Sequence, residues 1–162
     1  MKIRIGHSHD THRFEDGNSI KIGGIQIPFT KKLNGHSDAD VLLHAITEAI
    51  IGALGKGDIG TFFPDTDPKY KDCDSMLLLK EVITVMNIEN YKINNLDTTI
   101  FAEQPMIKPY VEDMKEIITA AIDINKEQLN IKATRGEKIG YVGRGEGIAA
   151  EAVVLLIKEK ND

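Results

Sequence analysis

All five histidines of the 162-residue chain fall in two short stretches. One is Ile5-Gly6-His7-Ser8-His9-Asp10-Thr11-His12, the other His36-Ser37-Asp38-Ala39-Asp40-Val41-Leu42-Leu43-His44. A neutral imidazole is a borderline-soft donor that binds a metal near neutral pH without first losing a proton. Asp10 and His12 are two apart, so on a strand they share a face. A third ligand from a separate helix would complete three protein ligands with one position open, the usual plan of a catalytic zinc. A polar strand face is the simpler account of His7 to His12, and residue types alone leave both open.

A second stretch able to do chemistry is Ala133 to Gly147, with five glycines in fifteen residues and Arg135, Lys138 and Arg144 among them. Glycine lets backbone N–H groups approach an anion, and a guanidinium offers phosphate two parallel donors. No Gly-Lys-Ser/Thr ending makes it a Walker loop, and Gly143, Gly145 and Gly147 are misplaced for a dinucleotide fingerprint. Glu137 beside these cations suits a hard metal shared with substrate phosphates, or a surface ion pair. Asp58 and Asp65 can bind hydroxyls or cap their own turns. No Gly-x-Ser-x-Gly occurs, and Cys73 has no neighbouring histidine, so no protein nucleophile is marked. These residues point to a metal-dependent enzyme acting on a phosphorylated small molecule.

The elements that must position these groups follow from periodicity. Ile3 and Ile5 alternate with Lys2 and Arg4, which predicts a half-buried strand running into the histidines. Ser19 to Ile27 reads as a hairpin reversing at Gly23-Gly24, and residues 31–36 as a loop. Ser37 or Asp38 is the expected cap of a helix whose apolar face is Leu42, Ile46, Ala49, Ile50 and Ala53. Ser37, Asp40, His44 and Glu48 fall on the opposite stripe, so His44 is solvated or faces a site. Helices are expected from Asp74 or Ser75 and over residues 110–122, and strands over 91–102, 129–134 and 148–157. The interspersed order predicts an α+β fold, a two-layer sandwich with helices on one face of a mixed sheet, in a single domain over residues 1–162.

Composition narrows the class. A net charge of −5 with no Lys/Arg run argues against nucleic acid. A lone cysteine excludes a disulfide framework. The N-terminal residues carry no signal-like apolar run, and no stretch approaches the ~20 apolar residues of a membrane helix, so a cytoplasmic protein is expected.

The segments Arg4-Ile5-Gly6-His7-x-x-Asp10-x-His12, Ile22-Gly23-Gly24, Gly35 to Ala45, Gly57-Asp58-Ile59-Gly60, Phe63-Pro64-Asp65-Thr66-Asp67-Pro68 and Gly143 to Ala149 together resemble the 2-C-methyl-D-erythritol 2,4-cyclodiphosphate synthase family, in order and over nearly the whole chain. The resemblance implies a homotrimer with active sites at the subunit interfaces. It implies a lyase of non-mevalonate isoprenoid biosynthesis that converts 4-diphosphocytidyl-2-C-methyl-D-erythritol 2-phosphate to the cyclic diphosphate and releases CMP. A repurposed, non-catalytic zinc-binding trimer and a metal-dependent phosphoesterase are the alternatives.

Carried over residue by residue, the resemblance gives zinc to Asp10, His12 and His44, and a substrate-bound Mg²⁺ or Mn²⁺ to Glu137. It gives the 2-phosphate to His36 and Ser37, and the erythritol hydroxyls to Asp58, with Ile59, Gly60, Phe63 and Asp65 around the substrate. The cytidine and diphosphate pocket falls to Ala102, Pro105, Met106, Ile107, Lys108, Thr134 and Arg135 of the neighbouring subunit. Arg144 is placed by the phosphate or at the threefold axis. Asp10, His36, Thr134, Arg135 and Glu137 are the expected catalytic set. Three positions depart from the family pattern: Arg135 stands for a hydroxyl residue, Met106 for a lysine, and His9 for an aromatic or apolar residue. By strand alternation His9 faces away from Asp10, on the side of His7.

Overall fold

A computed structural model of the chain describes residues 2–64, 66–70 and 72–158. Strand β1 (Ile3–Asp16) leads into a hairpin of β2 (Ser19–Ile22) and β3 (Ile25–Pro28), then short β4 (Lys31–Leu33). Helix α1 (Val41–Leu54), a one-turn helix α2 (Ile59–Phe62) and α3 (Ser75–Ile88) follow. The rest is β5 (Tyr91–Phe101), α4 (Val111–Ile122), β6 (Leu129–Thr134), one-turn α5 (Gly140–Gly143) and β7 (Gly147–Lys158). The main sheet has the order β4-β1-β7-β5-β6; only β5 and β6 are parallel. Helix α1 packs on β1 and β7, α3 on α1 and β5, and α4 on β6 and α3. This is the expected α+β layering of helices on a mixed sheet.

Alternation along β1 has the opposite phase to the sequence expectation. Ile3 and Ile5 are 53% and 70% exposed, while Gly6 and Ser8 are buried. The strand faces the core through small residues because α1 sits almost on top of it. A Cβ placed on Gly6 would lie 1.8 Å from the Ala49 carbonyl oxygen. The neighbouring strand repeats the device, since Ala150 pairs with Asp10 and Ala152 with Ser8. Burial here comes from the helix approaching a floor of glycine, serine and alanine, not from large apolar side chains on β1.

Helix α1 is the centre of the core: all its residues except His44, Glu48 and Gly52 are buried. Its cap is Asp40, not Ser37 or Asp38. Asp40 is fully buried, and its carboxylate accepts from the backbone N–H of Leu43, Gly23 and Gly24 at 3.0, 2.9 and 2.8 Å. One side chain thus satisfies a helix terminus and a hairpin turn whose two glycines both have positive φ. Residues 31–33, expected as loop, pair with β1 at Phe14 to Asp16. The uneven alternation of residues 91–102 has a local cause, a register shift between Ile93 and Asn95 against β7. Among the described residues no helix is long and apolar enough to cross a membrane.

Candidate functional site

Asp10 and His12 leave β1 on the face that meets α1, and His44 projects from the first turns of α1 towards them. Their ligand atoms all lie within 4.8 Å of one another, the one such group among the described residues. His12 Nε2 and His44 Nδ1 are 3.1 Å apart, and Asp10 Oδ2 lies 3.0 and 3.1 Å from them. Atoms that close fit a single cation as a common partner.

The outward nitrogens are occupied. His12 Nδ1 is 2.7 Å from the Asn34 carbonyl oxygen, which can only accept, so Nδ1 carries the proton and Nε2 keeps its lone pair for the centre. His44 Nε2 lies 2.8 Å from Ser75 Oγ and 2.9 Å from Ser37 Oγ. Ser75 in turn donates its hydroxyl to Asp38 Oδ1 and its backbone N–H to Asp38 Oδ2. Lys21 Nζ pairs with Asp38 at 2.8 Å and with Asp74 at 3.2 Å.

Charge in the centre is arranged as an ionised Asp10 facing two imidazoles. Burial alone would raise the Asp10 carboxyl, but hydrogen bonds and charge interactions with His12 and His44 hold it well below the usual carboxylate range. Burial opposes a charged His12, yet the Asp10 carboxylate and the Asn34 carbonyl raise its pKa above that of a free imidazole. A cation entering here therefore competes with protons for His12 Nε2, more strongly as the pH falls.

The triad lines a cavity of about 230 Å³ with His36, Ser37, Ile59, Gly60, Phe63, Tyr70 and Leu78. Behind it, Glu48 accepts from Ser8 Oγ at 2.8 Å and faces the Ile59 N–H at 3.4 Å, tying α2 to β1 and α1. Asp58 does not line this cavity; its carboxylate caps α2 through the Thr61 N–H at 2.7 Å. Asp65 lies outside the described residues.

A second cavity of about 320 Å³ is lined by Ala102, Glu103, Met106, Ile107, Lys108, Ala133, Thr134, Arg135 and Glu137. It gathers most of the residues expected to hold a nucleotide diphosphate, without Pro105. Glu137 belongs to this cavity and is no neighbour of the histidine group. Arg144 lines neither cavity and is paired with Glu146 at 2.5 Å. The two cavities share no residue. Asp10, Ala150, Ile100 and Ala133 form one rung across the sheet, so three strand spacings, about 14 Å, separate the β1 and β6 ends.

His7 and His9 lie on the open face of the sheet, away from the triad. His9 Nδ1 is 3.2 Å from Glu151 Oε1, and its Nε2 is 3.0 Å from Thr11 Oγ1. Tyr70 and Leu78 were not singled out by the sequence, and Ser75 only as a helix start. No spacing signal marks them, because only tertiary packing brings them to the site.

Known proteins resemble this one over nearly its whole length. The YgbB family model matches residues 3–157. The 2-C-methyl-D-erythritol 2,4-cyclodiphosphate synthase of Listeria innocua is 56% identical over 156 residues, 96% of this chain and 99% of that one. Among solved structures, the CDP complex of Plasmodium falciparum IspF superposes with a TM-score of 0.86 at 31% identity, covering 98% of this chain and 97% of that one. The bifunctional IspDF of Campylobacter jejuni gives a TM-score of 0.93 at 38% identity; this chain, 98% covered, spans 43% of that longer one.

Proposed function

The chain belongs to the YgbB family, and from that premise we propose that it converts 4-diphosphocytidyl-2-C-methyl-D-erythritol 2-phosphate to 2-C-methyl-D-erythritol 2,4-cyclodiphosphate and CMP. The observation that carries this reading is the pairing of a converging Asp10–His12–His44 group with a separate cavity bearing Thr134, Arg135 and Glu137.

In this reading Asp10, His12 and His44 would hold zinc, and Glu137 would hold the Mg²⁺ or Mn²⁺ that accompanies the diphosphate. When bound, such cations supply Lewis acidity and offset negative charge on phosphate oxygens. The chain's own groups do the positioning. His36 and Ser37, in the lining of the first cavity, hold the 2-phosphate, while Ile59, Gly60 and Phe63 wall the erythritol unit and keep water out. Asp58, outside that lining but next to Ile59, would meet the erythritol hydroxyls once substrate is bound. Met106, Ile107 and Lys108 bound the cytidine end, with Arg135 reaching the diphosphate. An oxygen of the 2-phosphate forms a bond to the β-phosphorus, the bond from that phosphorus to the α-phosphate oxygen breaks, and CMP leaves with the electron pair. Because nucleophile and electrophile belong to one molecule, the protein's largest contribution is to fold the substrate back on itself.

We further propose that the active unit is a homotrimer in which the first cavity of one subunit faces the second cavity of its neighbour. Two observations support it. The cavities stand apart within one chain, and the open sheet face exposes Ile3, Ile5 and Val153. Purified protein incubated with the diphosphocytidyl substrate, Zn²⁺ and Mg²⁺, followed by ³¹P NMR, tests the reaction. Cyclic diphosphate with stoichiometric CMP is expected. Orthophosphate or linear products would instead identify a phosphoesterase, and no turnover with zinc bound a repurposed trimer.

A further inference from the structure

Two hydroxyls reach the same nitrogen of His44, and they are built differently. Ser75 is the first residue of α3, has no exposed surface, and donates its own hydroxyl to Asp38. With its proton committed there, Ser75 Oγ can only accept from the imidazole, at 2.8 Å. Asp38 is itself fixed, by Lys21 at 2.8 Å and by the Ser75 backbone N–H at 3.1 Å. Ser37 Oγ, at 2.9 Å from the same nitrogen, sits in the loop ahead of Asp40 and takes only a long 3.4 Å contact from the Ala39 N–H. Its hydroxyl lines the cavity, where a phosphate oxygen can take it.

We propose that Ser75 is a positioning residue for the metal centre, at the end of a Lys21–Asp38–Ser75–His44 relay. By accepting from Nε2–H it fixes the His44 tautomer whose Nδ1 lone pair faces Asp10 and His12. Ser37 is the exchangeable partner. It is free to turn to the substrate's 2-phosphate because Ser75 holds the imidazole in its absence. The inference rests on the metal and phosphate roles given above and adds a division of labour between two serines. The relay also joins the β2–β3 hairpin, the 36–40 loop and the start of α3, so three separate elements set the orientation of one ligand.

The test compares wild type, Ser75→Ala and Ser37→Ala as full-length proteins. Zinc affinity is measured by competition with a chromophoric chelator, and the zinc-loaded proteins carry ¹⁵N-labelled histidine for NMR. Ser75→Ala is expected to weaken zinc binding about 10- to 100-fold, the usual cost of removing a partner behind a metal ligand. Its His44 ring N–H should also exchange faster with water. Ser37→Ala is expected to keep wild-type zinc affinity and to raise KM for the diphosphocytidyl substrate. The proposal falls if folded Ser75→Ala binds zinc as wild type does, or if Ser37→Ala loses as much affinity. Should Ser75→Ala not fold, the wild-type spectrum decides. A slowly exchanging proton on Nε2 upholds the relay, and a proton on Nδ1 overturns it. Wild-type protein that binds no zinc would instead defeat the metal reading itself.

Discussion

The tightest of the glycine positions offers the sharpest test of how the metal group is held. Gly6 lies on the same face of β1 as Asp10, and a Cβ there would sit 1.8 Å from the Ala49 oxygen, 2.8 Å from the Ala49 carbonyl carbon and 2.9 Å from Ala53 Cβ. Non-bonded atoms settle near ~3.5 Å, so Gly6→Ala forces α1 and β1 apart by more than about 1 Å. The obstacle is helix backbone, which cannot swing aside as a long side chain would. Overpacking of this kind costs about 3 kcal/mol, which in a chain of this size lowers Tm by about 6–12 °C. The same displacement separates His44, on α1, from Asp10 and His12, on β1, beyond the ~0.5 Å tolerance of a preorganised site. Gly6→Ala is therefore expected to lose both stability and zinc affinity. Thermal unfolding of the metal-free protein reads the first, and chelator competition the second. A variant with wild-type Tm and wild-type zinc affinity would show that strand–helix spacing does not set the triad.

Other outcomes follow from the two cavities and the charges. His44→Ala and Glu137→Ala are each expected to be inactive, while an equal mixture of the two reassembled at random regains activity in about a quarter of all its sites; mixtures that stay dead on CMP release would refute shared sites. Raised His12 and depressed Asp10 pKa values stabilise the metal-free fold over one window. The His12 contribution is complete below the free imidazole pKa of ~6.5 and is lost as pH rises through its raised value. The Asp10 contribution is present above ~3.9 and lost as pH falls through its depressed value. The Tm of chelator-treated protein should thus decline on going from pH 6 to 8, while the stabilisation by added zinc grows as proton competition fades; a flat metal-free profile would contradict the coupling. Arg135→Thr, which restores a hydroxyl beside Thr134, is expected to leave kcat unchanged or raise it, and a collapse in the CMP-release assay would make Arg135 essential.

Elements with a strong local signal were legible from the chain. Strand β6 has the bounds that its alternation gave, and helical phase kept His44 off the apolar face of α1. Failures arose where a distant partner decides the outcome. The cap moved from Ser37 or Asp38 to Asp40 because that carboxylate also closes a turn at residues 23 and 24, which local spacing cannot register. Strand β4 exists only through its pairing with β1. The phase of β1 was misread because its core face is made of Gly6 and Ser8, so hydrophobicity points to the wrong side. At the site, the Asp10–His12 spacing announced itself, whereas Ser75 reaches His44 only through the packing of α3 on α1.

The loop that carries His36 and Ser37 is anchored at both ends and again between them. At one end Asn34 donates its backbone N–H to Arg13 on β1, and at the other Asp40 is bolted to α1 and the hairpin together. Between those ends the His36 carbonyl accepts the Asp72 N–H at 3.0 Å, and Asp38 is held by Lys21 and Ser75. A ligand pulling on His36 therefore pulls on the hairpin and on the start of α3 as well as on β1. Backbone travel of this loop is tied to those elements, and adjustment to a ligand falls to the His36 and Ser37 side chains.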